Sequence, residues 1–120
     1  GQIYQTWPTM GNGYLPNDLF IRNFKDFLNF NDHSLVQFYH RNLAYIITLY
    51  AVLLSIFIYK KKMTNLYNSL HILLLFLFLQ IVLGIVTLIS GLNIYLASTH
   101  QITSVLLVFS ALNLYYLRAN

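Results

Sequence analysis

The sequence of 120 residues contains no cysteine, two prolines and three acidic residues. Without cysteine the chain can form no disulfide, thiolate metal site or iron–sulfur centre, and its redox compartment stays undecided. Charged residues make up 8% of the chain, compared with about 25% in an average soluble domain. This shortage of charge excludes an ordinary water-soluble domain.

Hydrophobic residues make up 58% of the chain, and the mean hydropathy is +0.59. Three apolar runs, at about 35–59, 69–90 and 94–117, each reach the roughly 20 residues that a membrane-spanning helix needs. A backbone in lipid must satisfy its own hydrogen bonds, so these runs are expected to be helices. The short connections between them imply antiparallel neighbours. The sequence therefore predicts an all-α membrane protein whose residues 35–120 form three transmembrane helices.

Residues 1–34 are predicted to form an outer-side segment before the first span. Met10 to Pro16 contains two glycines and a proline, which is typical of a loop. Asn17 or Asp18 could cap a short amphipathic helix that runs to about Asn29. Such a helix could lie on a membrane surface or cover the mouth of the protein, and the pattern leaves both open.

Basic residues predict the orientation of the three spans. Lys60, Lys61 and Lys62 follow the first run and Arg118 follows the third, while the connection near Gly91 carries no charge. The positive-inside rule places the lysine loop and the C-terminus on the cytoplasmic or matrix side. The net charge of +4 is thus explained by a membrane-flanking loop, with lipid as the neighbour and no nucleic acid.

Two histidines enter apolar runs from the same predicted side. His40 lies about five residues inside the first run and His100 about six inside the third, which places both roughly 8–10 Å below the outer boundary at 1.5 Å per residue. Polar residues inside a membrane are costly and usually functional. The two imidazoles are therefore predicted to face each other at one level of the bundle.

Small and polar residues continue the same faces of the three helices. Taken alone, such a stripe is explained by close helix packing, and a single histidine by a hydrogen-bonded interfacial residue. For the pair, six-coordinate haem iron is the favoured interpretation, and zinc is disfavoured because no third or fourth ligand is evident at this level. The predicted faces are Ala44, Thr48, Ala51 and Ser55 on the first helix, Gln80, Gly84, Thr87 and Gly91 on the second, and Ala97, Ser104 and Ala111 on the third.

Several polar residues near the pair have open roles. Arg41 could pair with a haem propionate or extend to lipid headgroups. Gln37 and Gln101 are possible hydrogen-bond partners of the ligating histidines. His33 is expected to be solvated, and His71 to be interfacial at the inner end of the second helix. No carboxylate lies within the three runs, so no intramembrane general acid or base is predicted.

Ordered motif blocks resemble the C-terminal half of haem A synthase, of the mitochondrial and alphaproteobacterial type. Each block is modest alone, but together they follow the family's order and spacing over essentially the whole chain. The blocks are Tyr4 to Gly11, Pro16, Val36 to Arg41, Gln80 to Leu88 and Leu96 to Gln101.

This resemblance implies an eight-helix enzyme made of two pseudo-symmetric four-helix halves. The family oxidises the C8 methyl group of haem O to the formyl group of haem A, which cytochrome c oxidase needs. It implies that His40 and His100 are the axial ligands of haem b, with Arg41 and Gln101 as further cofactor-binding candidates. The implied location is the mitochondrial inner membrane or a bacterial plasma membrane.

The resemblance covers only the last three helices of the family. The chain is therefore expected to form an incomplete four-helix haem-binding bundle and to be inactive alone, since the N-terminal half is missing. An N-terminal half chain or a homo-oligomer would complete it. A start at Gly1 rather than Met fits a fragment or a processed product. The alternative function is a non-enzymatic haem-binding or structural subunit of a respiratory membrane complex.

Overall fold

Three long helices form almost all of the structure, a computed structural model that describes residues 4–17 and 24–119. They are α1 (His33–Lys60), α2 (Tyr67–Ile89) and α3 (Ile94–Ala119). Each is long and apolar enough to cross a membrane. The prediction of an all-α protein with three apolar helices that could cross a membrane is confirmed, and no helix limit differs from the predicted one by more than two residues.

Local signals explain where the helices begin and end. Asp32 caps α1, its side chain accepting a hydrogen bond from the backbone N–H of Ser34 at 3.1 Å. A short 3₁₀ helix, Thr64–Leu66, joins α1 to α2. After α2 the backbone turns back through Gly91, with φ of 78°, and Leu92, with φ of 63°. Glycine adopts this left-handed conformation without a steric penalty.

The core lies at the end of the bundle beside the lysine loop, which we call the inner end. The opposite end, near Gly91, is the outer end. At the inner end α1, α2 and α3 meet through buried hydrocarbon side chains that share one cluster. Over the whole bundle α2 is closely packed against α3, while α1 makes few contacts with either helix. A gap therefore opens between α1 and α3 on the outer half of the molecule. The cluster consists of Ile58, Leu66, Leu70, Leu73 and Leu114.

Most serine and threonine hydroxyl groups in the helices are hydrogen-bonded within their own helix. Thr48 donates to the carbonyl of Ala44 at 2.7 Å, and Thr87 to that of Leu83 at 2.6 Å. Such back-bonding hides a polar group in apolar surroundings. A bond between helices is made by Asn113, whose Nδ2 donates to Oγ of Ser69 at 3.2 Å.

The predicted amphipathic helix differs from the structure where it can be compared. Residues 18–23 lie outside the described residues, and the next element is a five-residue 3₁₀ helix, Phe24–Leu28, not an α-helix. The Asn31 N–H bonds to Oδ1 of Asn29, and the carbonyl of Phe27 accepts instead from the hydroxyl of Tyr39 at 2.6 Å. These contacts take the groups that an α-helix would pair.

Candidate functional site

His40 on α1 and His100 on α3 face each other across the outer gap. Their ring centres are 6.4 Å apart and the ring planes are nearly perpendicular, at 81°. His40 is exposed towards the gap and His100 is half-buried. This agrees with the prediction that two residues about 60 positions apart reach one level, since both helices run inward from the same end.

The gap is a cavity of about 400 Å³ that holds both imidazoles. Binding pockets for small molecules and cofactors typically measure about 300–1,000 Å³. The walls are mostly apolar and come from all three helices and from the N-terminal segment. The predicted small or polar residues that line it are Ala44, Thr48, Gln80, Gly84 and Thr87, and Trp7, Gln37 and Arg41 lie at its outer end.

The predicted stripes do not all continue along this cavity. Ala51 and Ala111 instead line a second, apolar groove of about 460 Å³ nearer the inner end. Ser55, Gly91, Ala97 and Ser104 line neither space. The stripes separate because α1 and α3 are not packed together along their whole length.

Gly84 lets the imidazole of His100 lie directly against α2. A Cβ built on this glycine would lie 3.0 Å from Cε1 of His100 and 3.5 Å from its Nε2. Such a contact is tighter than nearly all real Cβ contacts. The missing side chain therefore makes room for the histidine ring, in addition to allowing close helix approach.

Gln80, one turn before Gly84, is the amide nearest to His100. Its Nε2 lies 3.5 Å from Nε2 of His100. Among the described residues, Oε1 of Gln80 and Nδ1 of His100 are buried and have no hydrogen-bond partner. Buried polar groups without a partner are costly and uncommon. These two atoms therefore mark a place where a bound group would change the hydrogen bonding.

The two glutamines predicted to support the histidines are placed differently. Gln37 pairs with the backbone of Tyr4, accepting from its N–H at 2.8 Å and donating to its carbonyl at 2.6 Å. Gln101 is exposed on α3 and does not line the cavity. The sequence predicted that Gln80 faces the interior of the bundle but did not predict that it lies beside His100.

Arg41 is buried beside His40, with its guanidinium turned towards the N-terminal segment. It donates to the carbonyls of Tyr4 at 3.2 Å, Thr6 at 2.5 Å, Pro8 at 3.4 Å and Thr9 at 3.0 Å. Four neutral carbonyls therefore hold the guanidinium, and the two partners expected from the sequence, a propionate and a lipid headgroup, stay predictions.

The other two histidines lie away from the pair. His33 is the first residue of α1 and is exposed. His71 lies near the inner end of α2, where its Nε2 is hydrogen-bonded to the hydroxyl of Tyr59 and its ring is 6.5 Å from that of Tyr67. Neither histidine lines the cavity that holds His40 and His100, and their solvated and interfacial roles stay predictions.

The separation of the His40 and His100 rings can be compared with that expected for two ligands of one metal ion. Imidazole nitrogens bind metal ions at about 2 Å, so two rings on opposite sides of one ion have centres about 6 Å apart. The described residues contain no group of three or more His, Cys, Asp or Glu side chains that could hold a metal ion. Two facing imidazoles in an apolar cavity fit a haem, whose porphyrin supplies the other four ligands.

Comparison with known proteins adds an independent result. The family model described as COX15-CtaA, cytochrome oxidase assembly protein, matches residues 1–112. A haem A synthase of Pelagibacter ubique is 39% identical over 120 residues, which is 100% of this chain and 35% of the relative. A haem A synthase of a Wolbachia from Brugia malayi is 39% identical over 113 residues, or 93% of this chain and 32% of the relative.

Rickettsia africae has a haem A synthase that is 32% identical over 117 residues, covering 98% of this chain and 34% of the relative. The chain thus spans about a third of the length of these curated relatives. No solved structure matches it.

Proposed function

The chain belongs to the COX15-CtaA family of cytochrome oxidase assembly proteins, and we propose that it is the haem b-binding, C-terminal portion of a haem A synthase. The complete enzyme would oxidise the C8 methyl group of haem O to the formyl group of haem A. The observation that carries the proposal is the His40–His100 pair, with ring centres 6.4 Å apart inside a cavity.

His40 and His100 would hold the haem iron through one ring nitrogen each. Ligation requires neutral imidazoles, and the cavity walls around both rings are mostly apolar. A haem bound between two histidines supplies one-electron transfer, because its iron changes oxidation state without losing a ligand. The protein residues orient the two rings and exclude water from the hydrocarbon-lined part of the cavity.

Gln80 and Gly84 would position His100 from α2. Gly84 brings the ring within contact of the helix backbone, and Gln80 offers an amide to a ring nitrogen. Histidine ligands usually use their second nitrogen for a hydrogen bond that fixes ring orientation. Gln80 is the described side chain that is best placed for this task.

The oxidation itself would need residues that this chain does not supply. Its three acidic residues, Asp18, Asp26 and Asp32, all precede α1, so the three spans contain no carboxylate. A second chain or a longer product that contains the family's N-terminal half would hold the substrate haem. We place the lysine loop on the matrix or cytoplasmic side, in a mitochondrial inner membrane or a bacterial plasma membrane.

The test is the reduced-minus-oxidised spectrum of membranes that contain this chain, with and without a co-expressed N-terminal half. We expect a low-spin b-type signal that disappears in His40→Ala and in His100→Ala. His71→Ala is the matched control and should keep the signal, because His71 lies at the inner end.

Haem A formation only with the added half would support a split synthase. A histidine-dependent signal without haem A formation in either condition would instead favour a non-enzymatic haem-binding subunit. A signal that survives both substitutions, or no signal at all, would overturn the haem site.

A further inference from the structure

Arg41 holds a loop of the chain at the outer end of the cavity. Only 9% of its surface is exposed, although it carries a permanent charge. Its two terminal nitrogens donate to four carbonyls between Tyr4 and Thr9, in the segment that we call the outer loop (residues 4–13). A planar guanidinium has five N–H donors in a fixed fork, which suits several acceptors at once.

Gln37 adds a second attachment one helical turn before Arg41. Its side-chain amide makes two hydrogen bonds with the backbone of Tyr4, at 2.8 and 2.6 Å. Residues four apart lie on one face of a helix, so Gln37 and Arg41 together present a polar surface to the outer loop. The loop is thus fixed to the same helix that carries His40.

The outer loop also has internal hydrogen bonds that keep it compact. Thr6 donates from its hydroxyl to the carbonyl of Thr9 at 2.8 Å and accepts from the N–H of Gly11 at 3.0 Å. Met10 donates from its N–H to the carbonyl of Gly13 at 2.7 Å and is 1% exposed. Arg41 therefore binds a loop whose carbonyls already converge.

The outer loop forms part of the cavity wall. Trp7 lines the same cavity as His40 and His100. Gln5 approaches the turn between α2 and α3, where a Cβ on Gly91 would lie 3.9 Å from its side-chain amide. The loop thus extends from α1, where Arg41 holds it, to the opposite side of the outer gap.

We propose that the outer loop closes the outer end of the histidine cavity and that Arg41 is a positioning residue that holds this closure through backbone carbonyls. The inference extends the proposed function, because the closed cavity is the one assigned to haem. In this arrangement the charge of Arg41 stabilises the loop rather than neutralising an anionic group of a cofactor. Lysine could not replace it, since an ammonium concentrates its donors at one point.

A single introduced cysteine can report loop closure without any haem. The chain has no cysteine, so Met10→Cys provides a unique thiol at a buried position. In sonicated membranes, which expose both faces, we expect slow maleimide labelling with Arg41 present. Adding Arg41→Lys should accelerate it by about fivefold or more, because the loop would open locally. Thr9→Cys, at an exposed position, should react fast in both backgrounds and controls for reagent access.

Arg118→Lys, in the last turn of α3, is the matched arginine control and should leave labelling of Met10→Cys unchanged. Equal labelling rates with and without Arg41→Lys in the haem-free protein would overturn the positioning role. Fast labelling of Met10→Cys with Arg41 in place would overturn the closed loop itself.

Haem-loaded membranes give the second readout. Trp7→Ala should increase the rate of haem reduction by dithionite, measured per haem bound, by about threefold or more, because water would reach the cavity more easily. Arg41→Lys should increase it as well. Absence of any haem signal would refute the proposed haem site, whereas the labelling experiment would still decide the role of Arg41.

Discussion

At the inner end of the bundle the three helices meet through hydrocarbon side chains, whereas at the outer end they surround a cavity. Leu66 and Leu70 are fully buried in the inner cluster, and Ile58 is 1% exposed. At the outer end, polar groups connect the elements, as in the bonds from Arg41 and Gln37 to the outer loop. At the inner end hydrocarbon packing therefore holds the helices together, whereas at the outer end hydrogen bonds hold the outer loop to α1.

The two ends therefore have different roles: the inner cluster stabilises the fold, and the outer cavity holds the histidine pair. The inner cluster joins α1 to α2 and α3, while residues from all three helices line the outer cavity. The histidines can then face a bound group, because the inner cluster, not the histidine pair, brings α1 to α2 and α3. Substitutions at the two ends should accordingly affect different measurements.

The largest effect on stability is expected from the inner end. Leu70→Ala leaves a void in the closed cluster and should cost about 2 kcal/mol or more, as do other buried leucines. Thermal unfolding in detergent measures it, with Leu75→Ala as the control because Leu75 is 55% exposed on the same helix. Equal losses of stability for the two variants would show that the inner cluster does not stabilise the bundle more than exposed positions do. At temperatures where Leu70→Ala remains folded, its haem spectrum should be that of the parent chain.

A second effect, which falls on haem binding instead of stability, is expected from Gly84→Ala. The added methyl group would lie 3.0 Å from the His100 ring and should weaken haem binding by about 1–3 kcal/mol, the usual cost of overpacking. Haem titration of the apo protein measures this loss. Gly13→Ala is the control, since a Cβ there meets nothing closer than 4.0 Å. Unchanged haem affinity in Gly84→Ala would mean that Gly84 serves helix packing alone.

The smallest effect is expected from the hydrogen bond between Asn113 and Ser69. Polar bonds between membrane helices contribute on average about 0.6 kcal/mol. A double-mutant cycle of Asn113→Ala and Ser69→Ala, followed by unfolding in detergent, measures the coupling. A coupling well above that value would show that the inner end also depends on polar contacts. The two ends would then differ less in how they are stabilised.

The spans and the histidine pair were predictable because they depend on properties of single segments: the number of apolar residues and the count of residues along each helix. Twenty apolar residues identify a span regardless of its neighbours, so α1, α2 and α3 agree closely with the predicted runs. Depth follows from counting along each helix, and this brought His40 and His100 to one level. The assignment of haem to the pair remains a prediction, supported by the family and by the ring separation.

The roles of Arg41, Gln37 and Gln80 were not predictable in the same way. Each depends on which backbone or side chain lies opposite, and that partner is distant in sequence. Arg41 bonds to carbonyls more than 30 positions away. Every residue has a backbone carbonyl, so the residue types do not reveal which carbonyls accept these bonds. The irregular outer loop has no periodicity that would place it over the cavity.

The sequence by itself determined that the chain forms apolar helices, where they lie and which polar residues enter them, because hydropathy and helical rise act within one segment. Only the tertiary structure decided how the helices spread at the outer end, which amide meets His100 and what Arg41 binds. Those outcomes depend on contacts between segments that are distant in the sequence, such as the inner cluster that joins α1 to α2 and α3.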